Sequence, residues 1–479
     1  MQNAPFVPEP QKANKSPRRA AISVERRKAG EGQNRYRPES ATSSLKGAQG
    51  FIAARTGKEP SWLSDLRRQS MAMVEQYGLP TPRLERWKYT NLLGMEMLDL
   101  PLASKASASG GGAAGANITA VRSEDLPQSF SPLRAVFVDG FFAASLSTLP
   151  DGVRVCGSAA AHCESFAALW NNAPAEGFND QMQWALNSVW AVDGFAIIVP
   201  KRMVIEQPIE VLYHSTGAYN TYTRTIVQVE EGASLNLIER HSSAHSGIGM
   251  MNAVTAIDVQ ANARLKHIRL QDNDAQGWML ASTHIRQARD SFYEAHSLSC
   301  GHEKLNRHQI WVQIQGQNSE CYLNGAQLSS GAGQLETVIL MNHEAPHCRS
   351  YQDYRHIAAD ESKAVFQGKV HVLNAAQKTE AFQMSRGLLL SPRAEVNTKP
   401  ELEIYADDVK CSHGATTGQM DEDALFYMRS RGLDMASARS LLLTAFVMEA
   451  FAVLDGDERL GDVYGAMVRD WLDNVLERS

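Results

Sequence analysis

The stretch from about residue 196 to residue 416 constrains this chain most. It is written as short strand-like segments joined by tight polar turns. "RTIVQVEEGASLNLIER", "AIDVQANARLKHIRL", "IWVQIQGQNSECYLNG", "HIAADESKAVFQGKV" and "LLLSPRAEVNTKPELEIY" share one shape. Each is a strand, a turn holding a small residue, and a second strand with alternation. No helix-length run with 3.6-residue spacing interrupts them. Segments that recur in this way stack as units, each burying its apolar face on its neighbours. Asn-Gly and Asp-Gly hairpin signals are almost absent after residue 196, which favours a parallel β-solenoid over a sandwich or jelly roll, the alternative on pattern alone.

The flanks read differently. Residues 1–45 are rich in Arg, Lys, Ser, Pro and Asn and too poor in apolar side chains to offset the cost of ordering, so a disordered basic tail is expected. Its charges (Arg18, Arg19, Arg26, Arg27, Lys28) would also suit a transit peptide or contact with nucleic acid. Residues 46–117 read as an N-terminal helical domain. Ser61 is placed to cap a helix carrying Leu63, Leu66, Met73, Val74 and Tyr77, and Gly78 and Pro80 stop it. Trp87 and Tyr89 suit either a core or a ligand platform. A Gly/Ser/Ala-rich linker follows at 104–117. Residues 118–195 form a mixed lead-in with an Asp-Gly hairpin signal in "AVFVDGFFAASL" and a short helix in "MQWALNSVWAVDG".

Residues 417–479 read as three helices. Asp421 to Asp423 suit a helix N-terminus, Gly432 a left-handed C-cap, and Asp434 the next cap. "MASARSLLLTAFVMEAFAVL" is apolar on nearly all sides, so it must be buried in the fold or under a partner. Leu460, Val463, Tyr464, Met467, Val468, Trp471, Leu472, Val475 and Leu476 form a 3–4 stripe on the last helix.

Several function classes lose support. The net charge of −6 argues against a global nucleic-acid footprint. The longest apolar run, Leu441 to Leu454, is too short for a membrane span and carries Thr444 and Glu449. With no apolar leader segment, a cytoplasmic location is expected. P-loop, G-x-S-x-G, HExxH and strand-linked GxGxxG signatures are missing, so no ATP site is expected in this chain. The six cysteines form no CxxC pair and read as reduced thiols. The sets His241 and His245, His296 with Cys300 and His302, and His343 with His347 and Cys348 are weak metal signals beside the plainer reading of satisfied polar groups.

"DDVKCSHGATTG" differs. If residues 402–413 are extended, Glu403, Tyr405, Asp407, Val409, Cys411 and His413 share one face. A thiol beside an imidazole suits iron or zinc, but a metal needs about four ligands, so the others must come from elsewhere in the fold or from another chain.

"ELEIYADDVKCSHGATTGQMDEDALFYMRSRGL" resembles the C-terminal signature of the SufB/SufD family of iron–sulfur cluster assembly scaffolds, on its SufD side. "GLPTPRLERWKYTNL" and "VPKRMVIEQPIEVLY" resemble further signatures of that family. The resemblance covers roughly 46–479. It implies a mainly β fold, a right-handed parallel β-helix over 196–416 flanked by helical domains. It implies a non-enzymatic subunit that pairs with SufB through the end of the β-helix. Two copies of the ATPase SufC would dock on the C-terminal helices, with Phe426, Leu442 and Phe446 as contact candidates. His413 matches a family histidine implicated in building the nascent cluster, and Cys411 a neighbouring cysteine. An iron–sulfur cluster would be shared transiently with SufB. Some such complexes carry reduced flavin, for which no motif occurs here. The alternative is a stand-alone metal-binding solenoid enzyme.

Overall fold

A computed structural model describes residues 45, 47–92, 102–103, 121–150, 154–157, 181–217, 219–243, 249–272, 277–301, 304–454 and 458–476. Residues 1–44 of the basic tail, the linker, Cys163, His245 and His302 lie outside the described residues, as do the side chains of Cys156 and Leu460. Two sheets, of ten and nine strands, face each other, and the chain alternates between them strand by strand. Asn220–Val229 lies in the nine-stranded sheet, Ser234–Ser243 in the ten-stranded sheet, Met250–Val259 back in the first, and so on to Lys410–Gly418. Neighbours within each sheet from Asp193–Val199 onward are parallel, so the fold is a parallel β-solenoid.

Turn chemistry explains the repeat. Between successive strands, where the chain crosses from one sheet to the other, the backbone passes through the left-handed region at Gly232, Asn262, Asp290, Asn318, Gly331 and Asp360. Glycine enters that region without steric cost, and Asn and Asp tolerate it better than other residues. The Asp-Gly signal near the start is a hairpin: Asp139 and Gly140 both have positive φ, and Leu133–Val138 pairs antiparallel with Phe141–Phe142.

In-register parallel stacking places like positions in columns between the sheets. Leu235, Leu265, Tyr293, Cys321, Ser350, Ala381 and Cys411 form one interior column. The apolar half of the lumen, with Val227, Ile257, Ile285, Val312 and Val370 from the other sheet, is the main core. The other half is polar. Glu239 accepts from His241 Nε2 at 2.7 Å and from Thr255 Oγ1 at 3.0 Å, with Arg269 Nε at 3.6 Å. Burial alone would raise the Glu239 carboxyl, but the bonds from His241 and His267 hold it well below the usual range. Burial lowers His241 against the pull of that carboxylate. An ionised Glu239 beside a neutral His241 follows, with Arg269 balancing the charge.

Helices cover the outer faces. Ser61–Tyr77 and Met182–Trp190 pack on the nine-stranded sheet. Ser61 is the first helical residue and Pro60 holds the cap position, so the expected serine cap is not made. Arg67 instead ties the two helices: its guanidinium donates to the carbonyls of Val189 at 2.9 Å and Ala191 at 2.8 Å. Trp87 is core, with the Arg307 guanidinium 3.8 Å above its ring. On the ten-stranded sheet sit Met435–Met448 and Glu458–Leu476, while Glu422–Ser430, which buries no residue, packs on Met435–Met448. Asp421 caps Glu422–Ser430 through Asp423 N and Ala424 N, and Asp434 caps Met435–Met448 through Ser437 N. The last helix buries Tyr464, Val468, Trp471, Leu472 and Val475 against the sheet, and Tyr464 OH donates to His296 O at 3.1 Å. Among the described residues no helix is long and apolar enough to cross a membrane.

Candidate functional site at the open end of the solenoid

The condition of an extended run over 402–413 is not met. Glu395–Ile404 ends one strand, residues 405–409 turn, and Lys410–Gly418 enters the opposite sheet. Glu403 and Cys411 are therefore on different sheets. The turn is needed because, from Asp193–Val199 onward, the chain changes sheet after every strand. Asp408 N donates to Gln377 Oε1 at 3.0 Å and Asn374 Nδ2 to Tyr405 O at 3.2 Å, which tie this turn to the one a rung earlier.

Cys411 and His413 do share a face. Cys411 is in register with Ala381 and His413 with Gln383, and both columns point into the lumen. Cys411 is half-buried against the core, and burial pushes its thiol up despite a hydrogen bond from the Ala381 backbone. His413 is exposed. The exposure has a simple origin: Lys410–Gly418 and Glu395–Ile404 are the terminal strands of their sheets, each paired on one side only among the described residues. Neither contains a buried residue, whereas Lys363–Val372 one rung earlier is mostly buried. Unpaired backbone groups along both strands make this end a template for another chain.

Of the histidine sets, His241 is buried in the lumen. His296 is buried beneath the C-terminal helices, bonded to Glu294 Oε1 at 3.1 Å and set against Phe451. His343 bonds Ser350 Oγ at 2.9 Å, and His347 sits exposed on a turn at positive φ. Among the described residues no group of three or more His, Cys, Asp or Glu converges as a metal site. Cys411 and His413 could contribute two donors to a site completed from another chain.

A second surface lies on the C-terminal helices. Phe426 is 73% exposed. Leu442 is half-buried, and Phe446 packs toward the solenoid with the Arg355 guanidinium 5.2 Å from its ring. Tyr427, Met435 and Leu441, not singled out by pattern, are exposed. An all-apolar helix gives no sequence signal of which side faces out. Beside these helices a cleft of about 320 Å³ is lined by Leu390, Pro392, Met420, Leu425, Leu443 and Leu476.

Residues 213–446 match the family model of the SUF system FeS cluster assembly SufBD core domain, and residues 52–211 match that of the SufBD protein N-terminal region. The chain is 32% identical over 413 residues to an iron–sulfur cluster assembly SufBD family protein of Synechocystis, covering 82% of this chain and 88% of that one. It is 30% identical over 391 residues to the iron–sulfur cluster assembly protein SufD of Escherichia coli, covering 80% and 87%. A chloroplastic protein of Arabidopsis thaliana is 36% identical over 341 residues, covering 66% and 69%. With a parallel solenoid, helices on both outer faces and matches along most of its length, the chain belongs to the SufBD family of iron–sulfur cluster assembly proteins.

Proposed function

We propose that this chain is a SufD-like scaffold subunit, active in the cytoplasm and without ATPase chemistry of its own. It pairs end to end with SufB through its last rung and carries SufC on its C-terminal helices. The nascent cluster is cargo at the junction, where His413 supplies one ligand from this side. Cys411 contributes less, because a ligating cysteine must be a thiolate and burial holds this thiol protonated. The carrying observation is the bare last rung with Cys411 and His413 at the mouth of the lumen. Exposed Phe426, Tyr427 and Leu441 support docking of a partner on the helices.

Co-expression with SufB and SufC, followed by size analysis and iron and sulfide content, tests this reading. A complex containing all three is expected, and His413→Ala should assemble normally yet hold less iron. Full iron loading in His413→Ala, or failure of the wild-type chain to bind SufB, overturns it.

A further inference from the structure

One buried hydrogen-bonding atom lies a rung below His413 and has no partner. Gln352 and Gln383 are successive members of the interior column that ends at His413. Their side chains are almost wholly removed from solvent. Gln383 Nε2 donates to Gln352 Oε1 at 2.8 Å, which turns the amide nitrogen back toward the earlier rung. The oxygen of the same amide, Gln383 Oε1, is buried without a hydrogen-bond partner among the described residues. A buried acceptor left unmade costs about 1–3 kcal/mol, so a group able to satisfy this one would be bound favourably. Room for the amide is provided from the opposite sheet by Gly368, where a Cβ would stand 2.1 Å from Gln383 Nε2. The next residue along the column, in register with Gln383, is His413.

We propose that Gln383 is a positioning residue for His413: the bond is not made in this structure, but when the exposed imidazole turns toward the lumen the Gln383 side-chain carbonyl accepts the N–H of one of its nitrogens, so that the other presents its lone pair at the open end. This rests on the reading of His413 as a ligand. An imidazole binds a metal through one nitrogen, and the hydrogen bond made by the other decides which one is free. The bond to Gln352 keeps the glutamine from rotating, so the acceptor is fixed before any partner arrives. Cys411 has no equivalent, since the residue beneath it is Ala381. A thiolate needs no tautomer chosen for it.

The test is ¹⁵N spectroscopy of the full-length chain with labelled histidine, in which His413 is assigned by the signal lost in His413→Ala. The wild-type ring should show one neutral tautomer. Gln383→Met, close in length and lacking an acceptor, should show two. Gly368→Ala, which displaces the amide while keeping the glutamine, should also show two, and it serves if Gln383→Met does not fold. An unchanged His413 signal in a folded Gln383→Met or Gly368→Ala chain overturns the proposal. If the tautomer scrambles in these variants while His413→Ala leaves iron loading intact, the positioning stands and the ligand reading falls.

Discussion

The two ends of the solenoid are built from the same strand-and-turn unit and finish in opposite ways. At the start, both sheets are closed by antiparallel strands: Phe141–Phe142 against Leu133–Val138, and Arg154–Gly157 against Asp193–Val199. Four rings fill the lumen there, with Phe137 5.5 Å from Phe142, 5.7 Å from Phe195 and 5.2 Å from Tyr213. At the far end no aromatic plug occurs among the described lumen residues of Lys410–Gly418, and both terminal strands are bare. Bare edges invite uncontrolled pairing, and proteins blunt them unless pairing is wanted. The closed end is therefore a fold device, and the open end is where a partner is expected.

The sharpest contrast is in stability. Phe137→Ala empties the centre of the plug and should cost about 3–5 kcal/mol. Phe382→Ala, near the open end and 40% exposed, should cost far less. Urea unfolding of both variants compares them. Similar losses would mean that the last rungs are as tightly held as the first.

Acid should act on the interior between the ends. Burial lowers His284 to about 3, His343 to about 4 and His356 to about 3. Each has a folded pKa below its unfolded value near 6.5, so the unfolded state takes up protons first as the pH falls. Stability is then full above about pH 6.5 and drops from there toward pH 4, approaching roughly 1.4 kcal/mol per unit for each histidine. His356, bonded to Gln327 and Ser385, lies two rungs from the bare end. Hydrogen exchange at pH 5 should show loosening there, and around His241, which stacks on Tyr213 of the plug.

The C-terminal helices carry the same contrast at smaller scale. Phe446→Asp sets a charge against the solenoid and should destabilise by a few kcal/mol. Leu441→Asp, on a residue 51% exposed, should leave the melting temperature nearly unchanged while weakening SufC capture in a pull-down. Undiminished capture would move the docking surface elsewhere.

The smallest expected effect on stability is that of His413→Ala, within about 0.5 kcal/mol, because the side chain is exposed. A large loss of stability would make His413 a structural residue rather than part of a partner site.

The sequence alone determined the repeat, because left-handed turns at Gly232, Asn262 and Asp290 and two-residue alternation are local properties of the backbone. It also placed Cys411 and His413 on one face, since that needs only the strand period, and it placed a helix N-terminus at Asp421 to Asp423 and a cap at Asp434. It did not show that the chain changes sheet at 405–409, although the consecutive Asp407 and Asp408 interrupt the two-residue alternation there. Nor could it show that Glu239, His241 and Arg269 meet in the lumen, or that Gln383 lies beneath His413. Those contacts join residues on different rungs, and their register is decided by the stacking of whole rungs. The outward side of Met435–Met448 was equally hidden, because a helix apolar all round is divided into core and surface only by the sheet it lies on.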